Sequence, residues 1–214
     1  MTATQALYLL GNYRPSQTVL WHAGASSVSI AGIQLSKANN AGAVYVTAGS
    51  SDKIDFCVHE VGATAGFNYK TQDWAAEIEK LTSGNGVDLV IDFVGATHFQ
   101  GNLDTAAKDG HIVELGLMSG SKLPAGVDIS GLLRKRLTLQ GSTLRSRDES
   151  YQRRLRDIFV QRSLPNFVDG TFKLFMERIF PAEEISAAHK LLESNVSRGK
   201  VVCTFDWQPG DERP

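Results

Sequence analysis

Apolar residues along this chain fall into short β-rich runs separated by stretches of helical spacing. Val19 to Ala23 (VLWHA) stops at Gly24, and Val28, Ala31, Leu35 and Ala38 then recur on one helical face. Strand, glycine turn and helix repeat downstream. Ala43 to Thr47 (AVYVT) and Ala63 to Tyr69 predict strands flanking a helix over Asp52 to Val61, and Trp74, Ile78 and Leu81 mark a helix closed by Asn85-Gly86. Val87 to Phe93 (VDLVIDF) predicts a strand buried on both faces, and Phe99, Leu103 and Ala106 a helix face. His111 to Leu115 predicts a fifth strand, Asp128 to Arg136 a short helix, and Leu137 to Leu144 a sixth strand.

Strands separated by helices of this length require right-handed crossovers and a sheet covered on both faces. The expected fold is therefore a doubly wound parallel (Rossmann) α/β sheet over residues 18–146. A lead-in helix over 1–17 precedes it, and an extension of helices and strands over 147–214 follows. In that extension Tyr151, Leu155, Ile158 and Phe159 predict one helix and Ile185, Ala188 and Leu192 another. Phe172 to Phe180 and Val201 to Phe205 read as strands that have no sheet to join.

Composition narrows the function classes. Of 214 residues, 22 are Lys or Arg and 23 Asp or Glu, so the net charge of -1 produces no field that favours nucleic acid or an anionic membrane. A hydrophobic share of 42% is enough for a core and argues against disorder. Cys57 and Cys203 belong to no Cys/His cluster, so neither a disulfide scaffold nor a zinc site is expected, and a cytoplasmic, reducing location fits. The apolar runs are too short or too interrupted by charge to predict a membrane span.

The turn after the first strand reads Ala23-Gly24-Ala25-Ser26-Ser27-Val28-Ser29. In dinucleotide-binding folds such a turn exposes backbone N–H groups to the cofactor pyrophosphate at a helix N-terminus. Against G-x-G-x-x-G, Gly24 holds the first place, while Ser26 and Ser29 occupy the other two. Each serine adds a Cβ where backbone must approach closely, and the heptad reads equally as a plain turn with an N-cap. The second strand ends Thr47-Ala48-Gly49-Ser50-Ser51-Asp52-Lys53, with no carboxylate at its tip to hold a ribose 2′-hydroxyl. Backbone at Gly49 and Ser50 together with Lys53 suits a 2′-phosphate, which favours NADPH; Lys53 also reads as a solvated helix lysine, and Asp52 beside it argues the other way.

Motifs over nearly the whole length then carry a family resemblance. They are VLWHAGAS (19–26), VTAGSSDK (46–53), GATAGFNYK (62–70), GVDLVIDFVG (86–95), GLMSG (116–120), LRSRD (144–148), RIFP (178–181), AHK (188–190) and GKVV (199–202). In this order they resemble the zinc-free, zeta-crystallin-like quinone oxidoreductases of the medium-chain dehydrogenase/reductase superfamily. The resemblance implies hydride transfer from NADPH to a quinone or related electron-poor acceptor, without zinc. It implies cofactor contacts from Gly24, Ala25, Ser26, Ser27 and Val28, from Gly49, Ser50, Lys53 and Tyr69, and from Val94, Gly95, Gly116, Leu117, Met118, Leu144 and Arg145. It also implies a homodimer paired along Leu137 to Leu144.

Two departures stand out. Ser27 and Ser29 replace glycines that the family's turn keeps. The chain also opens where the family's N-terminal GroES-like catalytic domain ends, so the late strands are expected to lack their partner sheet and to expose apolar surface. Catalytic residues are accordingly unassigned, and a cofactor-binding or interaction module impaired in turnover is the alternative to an active reductase. The basic stretch of Arg134, Lys135, Arg136, Arg145, Arg147, Arg153, Arg154 and Arg156 lacks aromatic interleaving and reads as a solvated face rather than a nucleic-acid surface. His22, His59, His98, His111 and His189 show no metal spacing and read as structural. No Tyr-x-x-x-Lys motif of short-chain reductases is present.

Overall fold

The computed structural model describes residues 1–205; the end of the expected extension, 206–214, lies outside them. Six strands form one parallel sheet: β1 (Thr18–Trp21), β2 (Ala43–Ala48), β3 (Ala65–Asn68), β4 (Val87–Asp92), β5 (Ala106–Glu114) and β6 (Thr138–Gly141). Their order is β3-β2-β1-β4-β5-β6, so the direction of winding reverses between β1 and β4. The doubly wound fold expected from the alternation of strands and helices is the one observed.

The central strands are the most apolar because helices cover both of their faces. Val19, Leu20 and Trp21 of β1, and Val87, Leu89, Val90 and Ile91 of β4, are fully buried. Each such side chain contributes about 1.5–3 kcal/mol relative to exposure. The helices are α2 (Ser27–Ala38), α3 (Ser51–Asp55, continued by π-helical turns over Phe56–Val61), α4 (Trp74–Leu81) and α5 (Phe99–Thr105). Trp74 and Ile78 of α4 and Leu103 of α5 join Leu20, Tyr45, Val90 and Ile112 in one core layer.

Before the sheet, α1 comprises Thr2–Thr4 and a π-helical continuation over Gln5–Leu10. It buries Ala3, Ala6, Leu7 and Leu10, and its buried Gln5 donates from Nε2 to Ser142, to the Thr143 carbonyl and to Tyr151. These bonds tie α1 to the loop between β6 and α7 (Glu149–Arg162). The short helices α6 (Ser130–Arg134) and α8 (Leu164–Val168) complete this unit, which runs from Met1 to Lys173. The contacts of α1 with α2 and α7 place both ends of this segment in the one unit.

The second unit starts at Leu174. Here β7 (Met176–Pro181) and β8 (Lys200–Thr204) pair parallel with each other, joined through a 3₁₀ turn and α9 (Ile185–Glu193). Phe180 and Ala188 are buried, but Met176, Ile179, Leu192 and Val196 are exposed. The late strands thus make a sheet of their own, and one with substantial apolar surface in contact with solvent. Phe172, expected at the start of a strand, lies instead in the turn before it and is buried in the first unit.

Candidate functional site

In a parallel sheet, ligands lie beyond the carboxyl ends of the strands at the point where winding reverses. Three segments meet that description here: the β1–α2 turn, the tip of β2, and the loops after β4 and β5.

The β1–α2 turn is pinned from both sides. His22 N–H donates to the Ile91 carbonyl (3.1 Å), Gly24 N–H donates to the Thr47 carbonyl (2.8 Å), and Ala23 takes a left-handed conformation with φ +49°. A Cβ on Gly24 would stand 2.8 Å from Val46 Cβ, so only glycine lets the turn pass this close to β2. Ser26 caps α2 by accepting from Ser29 N–H (3.2 Å), and the Ser29 hydroxyl, fully buried, donates to the His22 carbonyl (2.7 Å). The reading of this heptad as a turn with an N-cap is therefore correct as geometry. It also presents the start of a 12-residue helix to the switch point. Ser29 ties the first turn of α2 to the end of β1.

At the tip of β2, Gly49 and Tyr69 are brought together: the tyrosine hydroxyl lies 2.8 Å from where a Gly49 Cβ would stand. Ser50 caps α3 by accepting from Lys53 N–H (3.4 Å), which sets Lys53 in the first helical turn beside this corner. Tyr69 is exposed and packs edge-on against His98 at 5.5 Å between ring centroids.

The loops after β4 and β5 are knitted into one wall. Met118 N–H donates to the Phe93 carbonyl (3.1 Å), and Ser119 bonds the Val94 carbonyl through both its N–H and its hydroxyl (2.8 Å each). Gly95 holds φ +83°, and a Cβ there would meet Leu117 at 2.9 Å. Gly116 lies against Phe93, while Leu117 and Met118 are exposed. Val94, Gly95, Gly116, Leu117 and Met118 are thus contiguous. Leu144 and Arg145 lie in the β6–α7 loop, which leaves the carboxyl end of the strand next to β5; Arg147 N–H donates there to the Leu144 carbonyl (3.2 Å).

Beneath these loops lies a buried polar floor that reading the sequence did not locate. His22 bonds Thr47 through Nδ1 (2.8 Å) and Asn102 through Nε2 (2.7 Å); Asn102 Nδ2 donates to Asp92 (2.7 Å), which accepts from Val94 N–H (2.6 Å) and Gly95 N–H (3.3 Å). His22 also sits edge-on to Trp74 and His98, at 4.9 and 4.8 Å between centroids. Desolvation lowers both histidines to about 4, so both are neutral at physiological pH. Burial, then the neighbouring Asp92, pushes Glu114 up to about 8. The signal in sequence was small: a histidine closing an apolar strand, and an aspartate closing VDLVID.

The basic stretch is largely engaged within the chain. Lys135 caps the end of α5 through the Leu103 and Ala106 carbonyls, Arg136 pairs with Asp109 at 2.6 Å, and Arg153 and Arg156 pair with Glu149 and Asp157. A cleft of about 360 Å³ lined by Tyr8, Asn12, Tyr13, Arg14, Ile158 and Arg162 is built from α1, the turn after it and α7 rather than from strand ends. Among the described residues no three His, Cys, Asp or Glu side chains are grouped to hold a metal ion, and no helix is long and apolar enough to cross a membrane.

Comparison with known proteins agrees with this geometry. A family model described as zinc-binding dehydrogenase matches residues 27–159. A quinone oxidoreductase-like protein 2 homolog of Nematostella vectensis is 29% identical over 204 residues, covering 94% of this chain and 54% of that protein. Among solved structures, an NAD-dependent alcohol dehydrogenase is 32% identical with a TM-score of 0.80, over 95% of this chain and 55% of its own. The Escherichia coli quinone oxidoreductase complexed with NADPH is 25% identical with a TM-score of 0.78, over 94% and 62%. The chain thus spans little more than half the length of these relatives.

Proposed function

We propose, from the premise that this chain belongs to the zinc-binding dehydrogenase family, that it is the cofactor-binding part of an NADPH-dependent oxidoreductase acting on a quinone or similar electron-poor acceptor. One observation carries the cofactor reading: a glycine turn leading into a helix N-terminus stands across the switch point from a second glycine turn, and a Cβ would obstruct both. Both turns are held tight against their neighbours at the carboxyl ends of β1 and β4, the place where a pyrophosphate and its two nucleosides lie in such a sheet.

The choice of NADPH rests on the tip of β2. No carboxylate ends the strand, Tyr69 and Lys70 lie against Gly49, and Ser50 caps the helix turn that carries Lys53, so this corner suits a dianionic 2′-phosphate better than a ribose diol. NADPH when bound supplies a hydride from its nicotinamide C4. The chain's own contribution is to seat the pyrophosphate at the start of α2, to hold the 2′-phosphate near Lys53, and to line the nicotinamide half with the wall formed by Val94, Gly95 and Leu117. Exclusion of water and fixed orientation are then the protein's task. The family's description implies zinc, but the residues described do not group into a site that fits it.

Fluorescence titration with NADPH and NADH tests the reading. We expect NADPH to bind at least tenfold more tightly, and Lys53→Ala to erase most of that preference, since a charge-assisted hydrogen bond contributes about 1.5–3 kcal/mol. Equal affinity for the two nucleotides in the unaltered chain would refute the choice of cofactor. Following nicotinamide absorbance with a quinone present then separates a reductase, which oxidises NADPH, from a binding module, which does not.

A further inference from the structure

Thr47, His22, Asn102 and Asp92 are all buried, and they form one hydrogen-bonded line from the end of β2, across β1 and α5, to the turn after β4. Chemistry fixes its direction. Burial raises the Asp92 carboxyl above its ordinary range, but both of its oxygens already accept from backbone N–H groups, so the Asn102 group facing it is the amide nitrogen and the group facing His22 is the oxygen. His22 must therefore donate from Nε2, which leaves Nδ1 to accept from the Thr47 hydroxyl. One tautomer and one amide orientation satisfy every partner. At the far end Asp92 spends its remaining acceptor capacity on the Val94 and Gly95 N–H groups.

We propose that His22, Asn102 and Asp92 are positioning residues: together with Thr47 they hold the Val94–Gly95 turn in fixed register with the rim of β2, so that the adenosine and nicotinamide halves of one dinucleotide are seated together. The proposal rests on the cofactor reading above and goes beyond it, because none of these side chains needs to touch the nucleotide. Thr47 lies two residues before Gly49 at the adenosine corner, and Asp92 lies two residues before Val94 at the nicotinamide wall. A buried network in which every partner is satisfied has a single arrangement, and that rigidity is what keeps two distant loops in register.

A ligand pair separates positioning from general support of the fold. NADPH spans both halves of the crevice, whereas 2′,5′-ADP occupies the adenosine half alone. Asn102→Asp keeps the oxygen that takes the His22 proton but turns the donor facing Asp92 into a second acceptor. The two carboxylates then share a proton at low pH and repel once it is lost. The titratable groups facing this point are His22 after β1, His98 ahead of α5, Glu114 on β5 and Asp92 itself.

For Asn102→Asp we expect the Kd for 2′,5′-ADP to match the unaltered chain at every pH, while the Kd for NADPH rises roughly tenfold between pH 6 and pH 8. The exchange Asp92→Asn with Asn102→Asp restores a donor facing an acceptor in reverse order, and should recover most of the NADPH affinity. Should Asn102→Asp fail to fold, Thr47→Val removes only the terminal hydroxyl and is expected to weaken NADPH several-fold and 2′,5′-ADP not at all. Equal losses of both ligands, or no pH-dependent loss of NADPH, would overturn the positioning role. An unaltered chain that binds neither nucleotide would overturn the cofactor reading instead, and the proposal with it.

Discussion

Replacing Glu114 by glutamine isolates a carboxyl group that the fold makes hard to ionise. Glu114 is in register with Asp92 on the neighbouring strand, so the two carboxyl groups leave the same edge of the sheet. Its Oε1 is buried without a hydrogen-bond partner among the described residues, and its carboxyl group takes one backbone bond from Gly116. Burial first, and Asp92 second, move it from its ordinary 4.5 to about 8. Because the folded pKa is raised, the folded chain holds a proton that the unfolded chain has released between those two values, and stability falls as pH rises through that window. Full burial would make this roughly 5 kcal/mol, and half-burial screens it to about 1–2 kcal/mol.

Glutamine imitates the protonated acid and has no charge to lose. Urea unfolding between pH 5 and pH 9 is the assay, and comparing the two proteins cancels the slope that His22 and His98 contribute equally to both. We expect the unaltered chain to lose about 1–2 kcal/mol relative to Glu114→Gln across this range, with the divergence complete above pH 8. Parallel curves for the two proteins would show that Glu114 ionises freely in the folded state, and would remove the argument from burial and from Asp92.

Three further outcomes follow from particular residues. The folded pKa of His22 is lowered from 6.5 to about 4, so acid favours the unfolded chain, and its burial should cost about 2 kcal/mol of stability by pH 5, read as a lower urea midpoint than at pH 7. Gly24→Ala sets a Cβ against Val46 Cβ, which cannot swing away, and should cost about 1–3 kcal/mol with a fall in Tm of at least about 2 °C and weaker NADPH binding. If β6, exposed along its whole length at the sheet edge, pairs with a second copy, sedimentation at micromolar concentration gives a dimer, and Leu139→Glu gives a monomer.

How much of this was readable beforehand differs from element to element. The apolar runs VLWHA, AVYVT and VDLVIDF, the helical spacing between them and the glycines that stop them dictated a parallel doubly wound sheet, because only crossovers of that length and hand join such strands. The turn at Gly24 and the neutral tip of β2 were legible for the same reason: both are local, set by residues a few positions apart.

The buried floor left only a faint trace in the sequence. His22, Thr47, Asn102 and Asp92 come from four different elements separated by 10 to 80 positions, and in sequence each is one more polar residue near an apolar run. Only the assembled fold, which sets Asn102 of α5 between His22 and Asp92, removes water from all four at once. Without water each donor must find an acceptor among the others, and that requirement, which arises only once the sheet is assembled, turned scattered polar side chains into a directed network.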